Sequence, residues 1–255
     1  MAGHSHWAKV RHQKGVTDAR KGKLFSKLVR EIALAAKLGG GDPGFNPRLR
    51  RAVESAKSEG VASESITRAI QRGTGELAGA AYEEILYEGY APGGVAVLVE
   101  AATDNRNRTA AEIRSLFTRH GGNLAGSGSV SWLFHRKGII RVDASEVPFD
   151  RVFEAALEAS AEDVQPADGS TEVISSPDRL EGIIKSLEAA KIPIGSASLA
   201  YLPQNVVPIK DEESARSLLR LLDALEEHDD VQHVFANFEM APEMMAQAEA
   251  AVAGK

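Results

Sequence analysis

The fold is decided by residues 138–200, GIIRVDASEVPFDRVFEAALEASAEDVQPADGSTEVISSPDRLEGIIKSLEAAKIPIGSASLA. Short β-type runs alternate here with longer amphipathic segments. The pattern predicts strands at 138–142, 162–165, 172–175 and 197–200, and helices at 149–159 and 178–190. The order βαββαβ is typical of a ferredoxin-like unit, a four-stranded antiparallel sheet with two helices on one face.

Strands also flank this unit. Residues 82–90 and 95–103 surround Ala91-Pro92-Gly93-Gly94, whose proline and glycines predict a hairpin turn. The pattern then predicts a helix at 107–120 and a strand at 130–135, and, after the unit, a strand at 199–209, a helix at 212–227 and a strand at 231–238. The simplest place for these later strands is the sheet that begins at Tyr82. The ferredoxin-like unit is therefore predicted as an insertion in a discontinuous middle domain.

The first part of the chain is predicted to be helical. Residues 17–38 place Leu24, Leu28 and Ile32 on one side of a helix, and glycines at 39–41 end it. Asn46 and Pro47 are a good N-cap and first-turn pair, and Ser63 is predicted to cap a short helix that Gly73 stops.

We therefore predict an α+β protein of three domains, an N-terminal helical bundle plus two α/β domains. The expected boundaries are 1–78 for the basic arm and helices, 79–136 with 200–240 for the middle domain, 137–199 for the inserted domain and 241–255 for a tail. The tail is rich in Ala and is expected to fray.

Composition excludes several functional classes. The 255 residues include no cysteine, which removes disulfides, thiolate nucleophiles and thiolate metal sites. No run approaches the eighteen or so apolar residues that span a bilayer, and the first residues lack the apolar stretch of a signal peptide. We expect a cytoplasmic protein that makes no membrane contact.

Charge is distributed very unevenly along the chain. The net charge of -6 combines +9 for residues 1–75 (15 Lys+Arg, 6 Asp+Glu) with -15 for the rest (15 Lys+Arg, 30 Asp+Glu). Such segregation favours a basic surface that docks on a polyanion. A basic face that is merely solvated is the alternative.

The basic residues fall into an arm and a helix. In the arm, Trp7 is expected either to stack on a base or to anchor on the protein's own core. On the helix, spacings of three, four and three keep four cations within an arc of roughly 80°, and their mutual repulsion favours an anionic partner. The nucleic-acid-binding candidates here are Lys9, Arg11, His12, Lys14, Arg20, Lys21, Lys23, Lys27 and Arg30.

A polar loop at 103–109, TDNRNRT, joins a predicted strand to a helix start, where backbone N–H groups favour an anion. Arg106, Asn107 and Arg108 are therefore further binding candidates. Helix capping by Asp104 or Asn105 is nevertheless the favoured interpretation of this loop, ahead of binding, and a catalytic role for Asp104 is the least favoured one. A second glycine-rich loop at 121–129 lacks any nucleotide-binding pattern and is interpreted as a flexible connector.

Metal and cofactor sites are not predicted. His4, His6 and His12 are suitable ligand types, but no acidic or thiol ligand accompanies them. We expect no cofactor, no metal and no catalytic residues.

Long ordered motifs carry a family resemblance. They are MAGHSHW at the start, KLGGGDP at 37–43, YEGYAPGGVAV at 87–97, TDNRNRTAAE at 103–112, HGGNL at 120–124, GSV at 128–130 and YLPQN at 201–205. Together they resemble the YebC/PmpR family, whose mitochondrial members include a translational activator. The resemblance spans residues 1 to about 239 and implies three domains and a regulator without enzymatic activity, described in some members as a DNA-binding transcriptional regulator and in others as a ribosome-associated translation factor that relieves stalling.

Three hypotheses follow for function. The favoured one is a monomeric regulator that binds DNA or ribosomal RNA or tRNA, with the ribosome as a further candidate partner, through phosphate contacts that carry little sequence information. The second is a phosphate-handling enzyme that uses Asp104, Arg106 and Arg108. The third is a protein-interaction scaffold, for which binding would change little with salt.

Overall fold

A computed structural model describes residues 18–79, 81–167 and 169–253, with side chains described between residues 21 and 252. The described chain forms two compact units, one of residues 18–131 with 207–253 and the other of residues 132–206. The predictions for residues 1–17 lie outside the described part.

Three helices open the larger unit: α1 (Asp18–Gly39), α2 (Pro47–Ser58) and α3 (Ser63–Thr74). They share a core that includes Ile32, Leu49 and Ile66. The predicted cap is confirmed, since the Asn46 side chain accepts from the Leu49 N–H at 3.1 Å. The same amide donates to the carbonyls of Ala35 and Gly40, each at 2.8 Å, and so ties the end of α1 to the start of α2.

Two details of α3 differ from the prediction. The N-cap is Ala62, and Ser63 is the first helical residue. The helix also passes through Gly73 and ends at Thr74, and its C-cap residue Gly75 adopts the left-handed φ of 82°. Gly73 instead lies where α3 crosses α1, because a Cβ there would collide with the Ala33 carbonyl. The glycine is needed for close helix packing rather than for stopping the helix.

The first sheet follows the helices. It contains β1 (Glu83–Ala91) and β2 (Val95–Thr103), then α4 (Arg106–Arg119) packs near β1 and leads to β3 (Asn123–Leu124). The hairpin prediction is confirmed, because β1 and β2 pair antiparallel from Glu83 opposite Thr103 to Ala91 opposite Val95. Ile113 and Phe117 of α4 are fully buried and form the core of this region.

The unit of residues 132–206 has the predicted ferredoxin-like topology. Its elements are β4 (Phe134–Asp143), α5 (Phe149–Glu158), β5 (Asp163–Ala167), β6 (Ser170–Ser175), α6 (Leu180–Ala189) and β7 (Ser196–Pro203). The strand order is β5-β6-β4-β7, and each neighbouring pair is antiparallel. Ile140, Val152 and Ile183 belong to one core, which places both helices on the same face. The separate strand predicted at 130–135 is wrong, because its last residues are the start of β4.

The chain then completes the first sheet. It forms β8 (Val207–Pro208), α7 (Glu212–Glu226), β9 (Val231–Ala236), β10 (Phe238–Glu239) and α8 (Pro242–Ala253). The sheet order is β3-β1-β2-β9, so a strand that follows the ferredoxin-like unit pairs with one that precedes it. This agrees with the predicted α+β class and its inserted unit.

The alanine-rich tail forms a helix where fraying was expected. Met245 and Ala248 of α8 are buried, and α8 packs on α7. Apolar burial on one side therefore outweighs the lack of strong capping signals. None of the described helices has both the length and the apolar character to cross a membrane.

Candidate nucleic-acid interface

The predicted binding residues fall into three groups in the structure. Lys9, Arg11, His12 and Lys14 lie outside the described residues, and Arg20 lies on α1 with its side chain outside the described part. Lys21, Lys23, Lys27 and Arg30 lie on α1, and Arg106, Asn107 and Arg108 form the first turn of α4. Lys21 is exposed, with its ammonium 5.7 Å from the centre of the Phe25 ring.

Three of these cations, Lys23, Lys27 and Arg30, form what we call the basic face of α1, and they contact the end of α7. The Lys23 ammonium donates to the carbonyl of Glu227 at 3.0 Å. Lys27 donates to the carbonyl of Glu226, and Arg30 to that of Asp229. Each cation therefore binds a backbone oxygen at or just beyond the helix C-terminus.

The chemistry of that helix end explains the contact. The last carbonyls of a helix lack partners within the helix, and the helix dipole makes this end negative. The residues there add negative charge, since Glu226, Glu227, Asp229 and Asp230 form what we call the acidic end of α7. Cations from α1 supply donors to the unpartnered carbonyls and offset the negative charge of this helix end. The repulsion along the α1 stripe therefore has an anionic partner within the protein, and nucleic-acid binding by these residues stays a prediction.

Asp230 joins the two predicted sites. Its side chain is 3% exposed and accepts from Arg108 and from the Thr109 hydroxyl, each at 2.7 Å, while Arg30 lies 3.4 Å from its other oxygen. Burial alone would raise the pKa of Asp230, but Thr109, Arg108 and Arg30 outweigh burial, so that the pKa lies below its usual value. Arg30 of α1 and Arg108 of α4 thus meet at one carboxylate.

Asp230 is not among the residues that the sequence predicts for the site. A signal for it exists in the run EEHDD at 226–230, which puts four carboxylates at the end of a predicted helix, the end that disfavours negative charge. An acidic run at a helix C-terminus indicates that cations from elsewhere in the chain stabilise it. The hydrophobic periodicity of the sequence does not reveal which cations these are.

The loop before α4 is a helix cap, as favoured from the sequence. The Asn105 side chain accepts from the Arg108 N–H at 3.1 Å, whereas Asp104 pairs with the Arg108 guanidinium at 3.1 Å. Arg106 and Asn107 are exposed. Arg108 is exposed as well, but its guanidinium is paired with the carboxylates of Asp104 and Asp230 within the protein.

A cluster of Glu112, His228 and Asp230 has the donor types of a metal site, with ligand atoms within 4.8 Å of one another. Its hydrogen bonds fit a metal poorly. The His228 Nδ1 accepts from the Asp230 N–H at 3.1 Å, so the neutral ring carries its hydrogen on Nε2, which lies 2.9 Å from Glu112. The Asp230 carboxylate is already paired with two arginines, Arg30 and Arg108. The cluster fastens the segment after α7 to α4.

Glu88 is a second buried carboxylate that the sequence pattern did not predict. It is 3% exposed and accepts from the N–H groups of Gly128, Val130 and Ser131 at 2.7, 2.7 and 2.8 Å. Burial would raise the pKa of Glu88, but these donors outweigh burial and lower the pKa. The glycine-rich loop predicted as a flexible connector is therefore anchored at its second half.

Comparisons with known proteins cover nearly the whole chain. The model for the TACO1/YebC protein N-terminal domain matches residues 5–76, and that for the TACO1/YebC second and third domain matches residues 82–238. A probable transcriptional regulatory protein of Methylacidiphilum infernorum is 62% identical over 98% of this chain and 100% of its own length. One of Aquifex aeolicus is 54% identical over 96% and 98%. The crystal structure of a conserved hypothetical protein from Aquifex aeolicus superposes with a TM-score of 0.86 at 53% identity, covering 92% of this chain and 97% of that one.

Proposed function

This chain belongs to the TACO1/YebC family, and from that membership we propose that it is a non-enzymatic regulator of gene expression that binds nucleic acid through its basic N-terminal segment. The names of the relatives support the regulatory part of the proposal, since they are called probable transcriptional regulatory proteins. DNA is accordingly the first target to test.

One observation carries the nucleic-acid part, the charge of +9 on residues 1–75 against -15 on the remainder. A polyanion is attracted to the first part and repelled by the second, so the protein binds it in one orientation. Neutralising phosphates releases counterions, which makes such binding steeply dependent on salt.

The type of contact points to phosphates rather than bases. The basic face of α1 consists of two lysines and one arginine whose side chains contact the end of α7, so it is not a free helix that fits a groove. Side chains in this position can bind the phosphate backbone of a nucleic acid, and such contacts carry little information about its base sequence. A second candidate function gains support from this, namely a translation factor on the ribosome, because structured RNA is recognised through its shape.

The test measures binding to a DNA duplex and co-sedimentation with purified ribosomes over a salt series. The informative variant is Lys9→Glu/Lys14→Glu in the arm. The matched control is Lys185→Glu/Lys210→Glu, which makes the same charge change at two exposed positions of the acidic part. We expect the arm variant to lose binding and the control to retain it.

Each result selects one function. Duplex binding that depends on the arm supports the transcriptional role, and ribosome association that depends on the arm supports the translational role. Equal losses in the arm variant and the control would point to overall charge alone. A wild-type protein that binds neither duplex nor ribosome contradicts the proposal.

A further inference from the structure

The contact between the basic face of α1 and the acidic end of α7 occupies cations that a polyanion would need. We propose that this contact is an autoinhibitory latch. Lys23, Lys27 and Arg30 bind either the end of α7 or the phosphates of a nucleic acid, and the nucleic acid opens the contact. The inference rests on the proposed function, because without a polyanionic ligand nothing competes with α7.

The end of α7 and the phosphates of a nucleic acid both offer oxygen acceptors to these side chains. On α7 the cations meet three backbone carbonyls and the carboxylate of Asp230. A phosphate also offers oxygen acceptors, with a full negative charge in place of the partial charge of a carbonyl. An ammonium or guanidinium that binds one set is no longer directed at the other, so the two contacts compete.

Burial makes the competition unavoidable for part of the face. Lys23 is exposed, but Lys27 is half-buried and the Arg30 side chain is 18% exposed. Arg30 is further covered by Tyr82, whose ring centre lies 5.8 Å from the guanidinium. A phosphate can therefore approach Lys23 first, whereas full engagement of all three cations requires α1 to move away from α7.

The architecture allows such a movement. The three N-terminal helices share their own buried core, which does not depend on α7. Besides the packing of the Tyr82 ring on this core, two contacts of these helices with the start of the first sheet are polar, between Arg48 and Glu84 at 3.0 Å and between the Lys37 ammonium and the Tyr82 carbonyl at 2.9 Å. Polar contacts at a surface are individually weak and are screened by salt.

A reversible crosslink tests the latch. The chain has no cysteine, and the Lys23 ammonium lies 3.0 Å from the Glu227 carbonyl, so Lys23→Cys/Glu227→Cys places two unique thiols beside the contact. A bismaleimide with a cleavable disulfide locks α1 on α7, and a reductant releases it. The measured quantity is the Kd for a fluorescein-labelled DNA duplex of about 20 base pairs at low salt.

The latch predicts that the locked protein binds the duplex at least about tenfold more weakly than the released protein, because it cannot populate the open state. The same variant with both thiols capped by N-ethylmaleimide is the matched control and should bind like the released protein. A second variant, Glu226→Gln/Glu227→Gln, lowers the negative charge at the end of α7 while its carbonyls remain. It should bind the duplex at least about threefold more tightly than the wild type, a modest coupling.

The outcomes separate the two proposals. Equal affinities of the locked and released forms, both in the range of the wild type, would overturn the latch and leave the proposed function intact. Unchanged or weaker binding by the Glu226→Gln/Glu227→Gln variant would also contradict it. Failure of the wild type, the released form and the capped form to bind any duplex or ribosome would remove the proposed function, and the latch with it.

Discussion

Asp230 is the residue through which α1, α4 and the segment after α7 are held together. Its carboxylate accepts from Arg108, Thr103 and Thr109 and pairs with Arg30. Removing the charge of this buried carboxylate would leave the donors around it poorly satisfied.

We expect Asp230→Asn to lower the free energy of unfolding by about 2–4 kcal/mol, because the charged acceptor of two guanidinium groups is lost from a buried position. Urea denaturation followed by circular dichroism measures the change. Asp229→Asn is the control, since its side chain is exposed and its carbonyl contact with Arg30 remains. A loss as large for Asp229→Asn as for Asp230→Asn would contradict this account.

Glu88 makes stability depend on pH. Its pKa is lowered in the folded protein, so its ionised form is stabilised by folding. The contribution is fully present above the unfolded pKa of about 4.3 and is lost as the pH falls through the lower folded pKa. We expect Glu88→Gln to reduce stability at neutral pH by about 1.5–3 kcal/mol and to flatten the decline below about pH 4.

Denaturation midpoints measured from neutral pH down to acid, together with hydrogen exchange at Gly128 and Val130, check this prediction. Exchange at these amides should accelerate in Glu88→Gln, because their acceptor is weakened. Glu83→Gln, on the exposed start of the same strand, is the control and should change neither quantity. A pH profile that is the same in all three proteins would contradict the role of Glu88.

At the scale of the element, α1 and α3 cross at Gly73. The glycine is required because a side chain would meet the backbone of α1 at Ala33. Gly22, on the same α1, faces open space, so a methyl group there has room. These two helical glycines therefore differ only in what surrounds them, which makes them a matched pair.

We expect Gly73→Ala to lower stability by about 1–3 kcal/mol through overpacking. Gly22→Ala should raise it by up to about 1 kcal/mol, because alanine restricts the unfolded chain and favours the helix. Thermal and urea denaturation measure both. Opposite signs for the two variants support the crossing described here, and a neutral Gly73→Ala would show that α3 can move away from α1.

Sequence patterns located elements well where the deciding interactions are local. Asn46 and Pro47 predict a helix start because the cap bonds lie within three residues, and the strand and helix spacing of 138–200 predicts the ferredoxin-like order. Ser63 failed as a cap because the neighbouring Ala62 adopts the cap position, a difference of one residue. The tail was predicted to fray from its alanine-rich composition, because its own sequence does not show that it packs on α7.

The candidate site was predictable only in part for the same reason. Spacing showed that Lys23, Lys27 and Arg30 share one face of a helix. It could not show that the partner of Lys23 lies 204 residues away, at a helix end brought near by the sheet. Charge repulsion along a helix indicates that an anion is needed, and only the structure shows that the protein itself supplies one.

At the scale of the whole molecule, charge separation sets how binding responds to salt. The acidic remainder repels a polyanion, so the phosphates that are neutralised should be those met by the first 75 residues. The logarithm of the association constant then falls linearly with the logarithm of salt concentration, with a slope of about -0.9 for each phosphate neutralised on duplex DNA.

We expect Lys9→Gln/Lys14→Gln to reduce the magnitude of this slope by about 1.8, because two phosphate contacts are removed. Lys185→Gln/Lys210→Gln alters net charge by the same amount on the acidic part and should leave the slope unchanged. Fluorescence anisotropy over a salt series gives both slopes. If the two variants reduce the slope equally, binding responds to net charge rather than to the basic segment, whereas a change confined to the arm variant locates the contact in the first 75 residues.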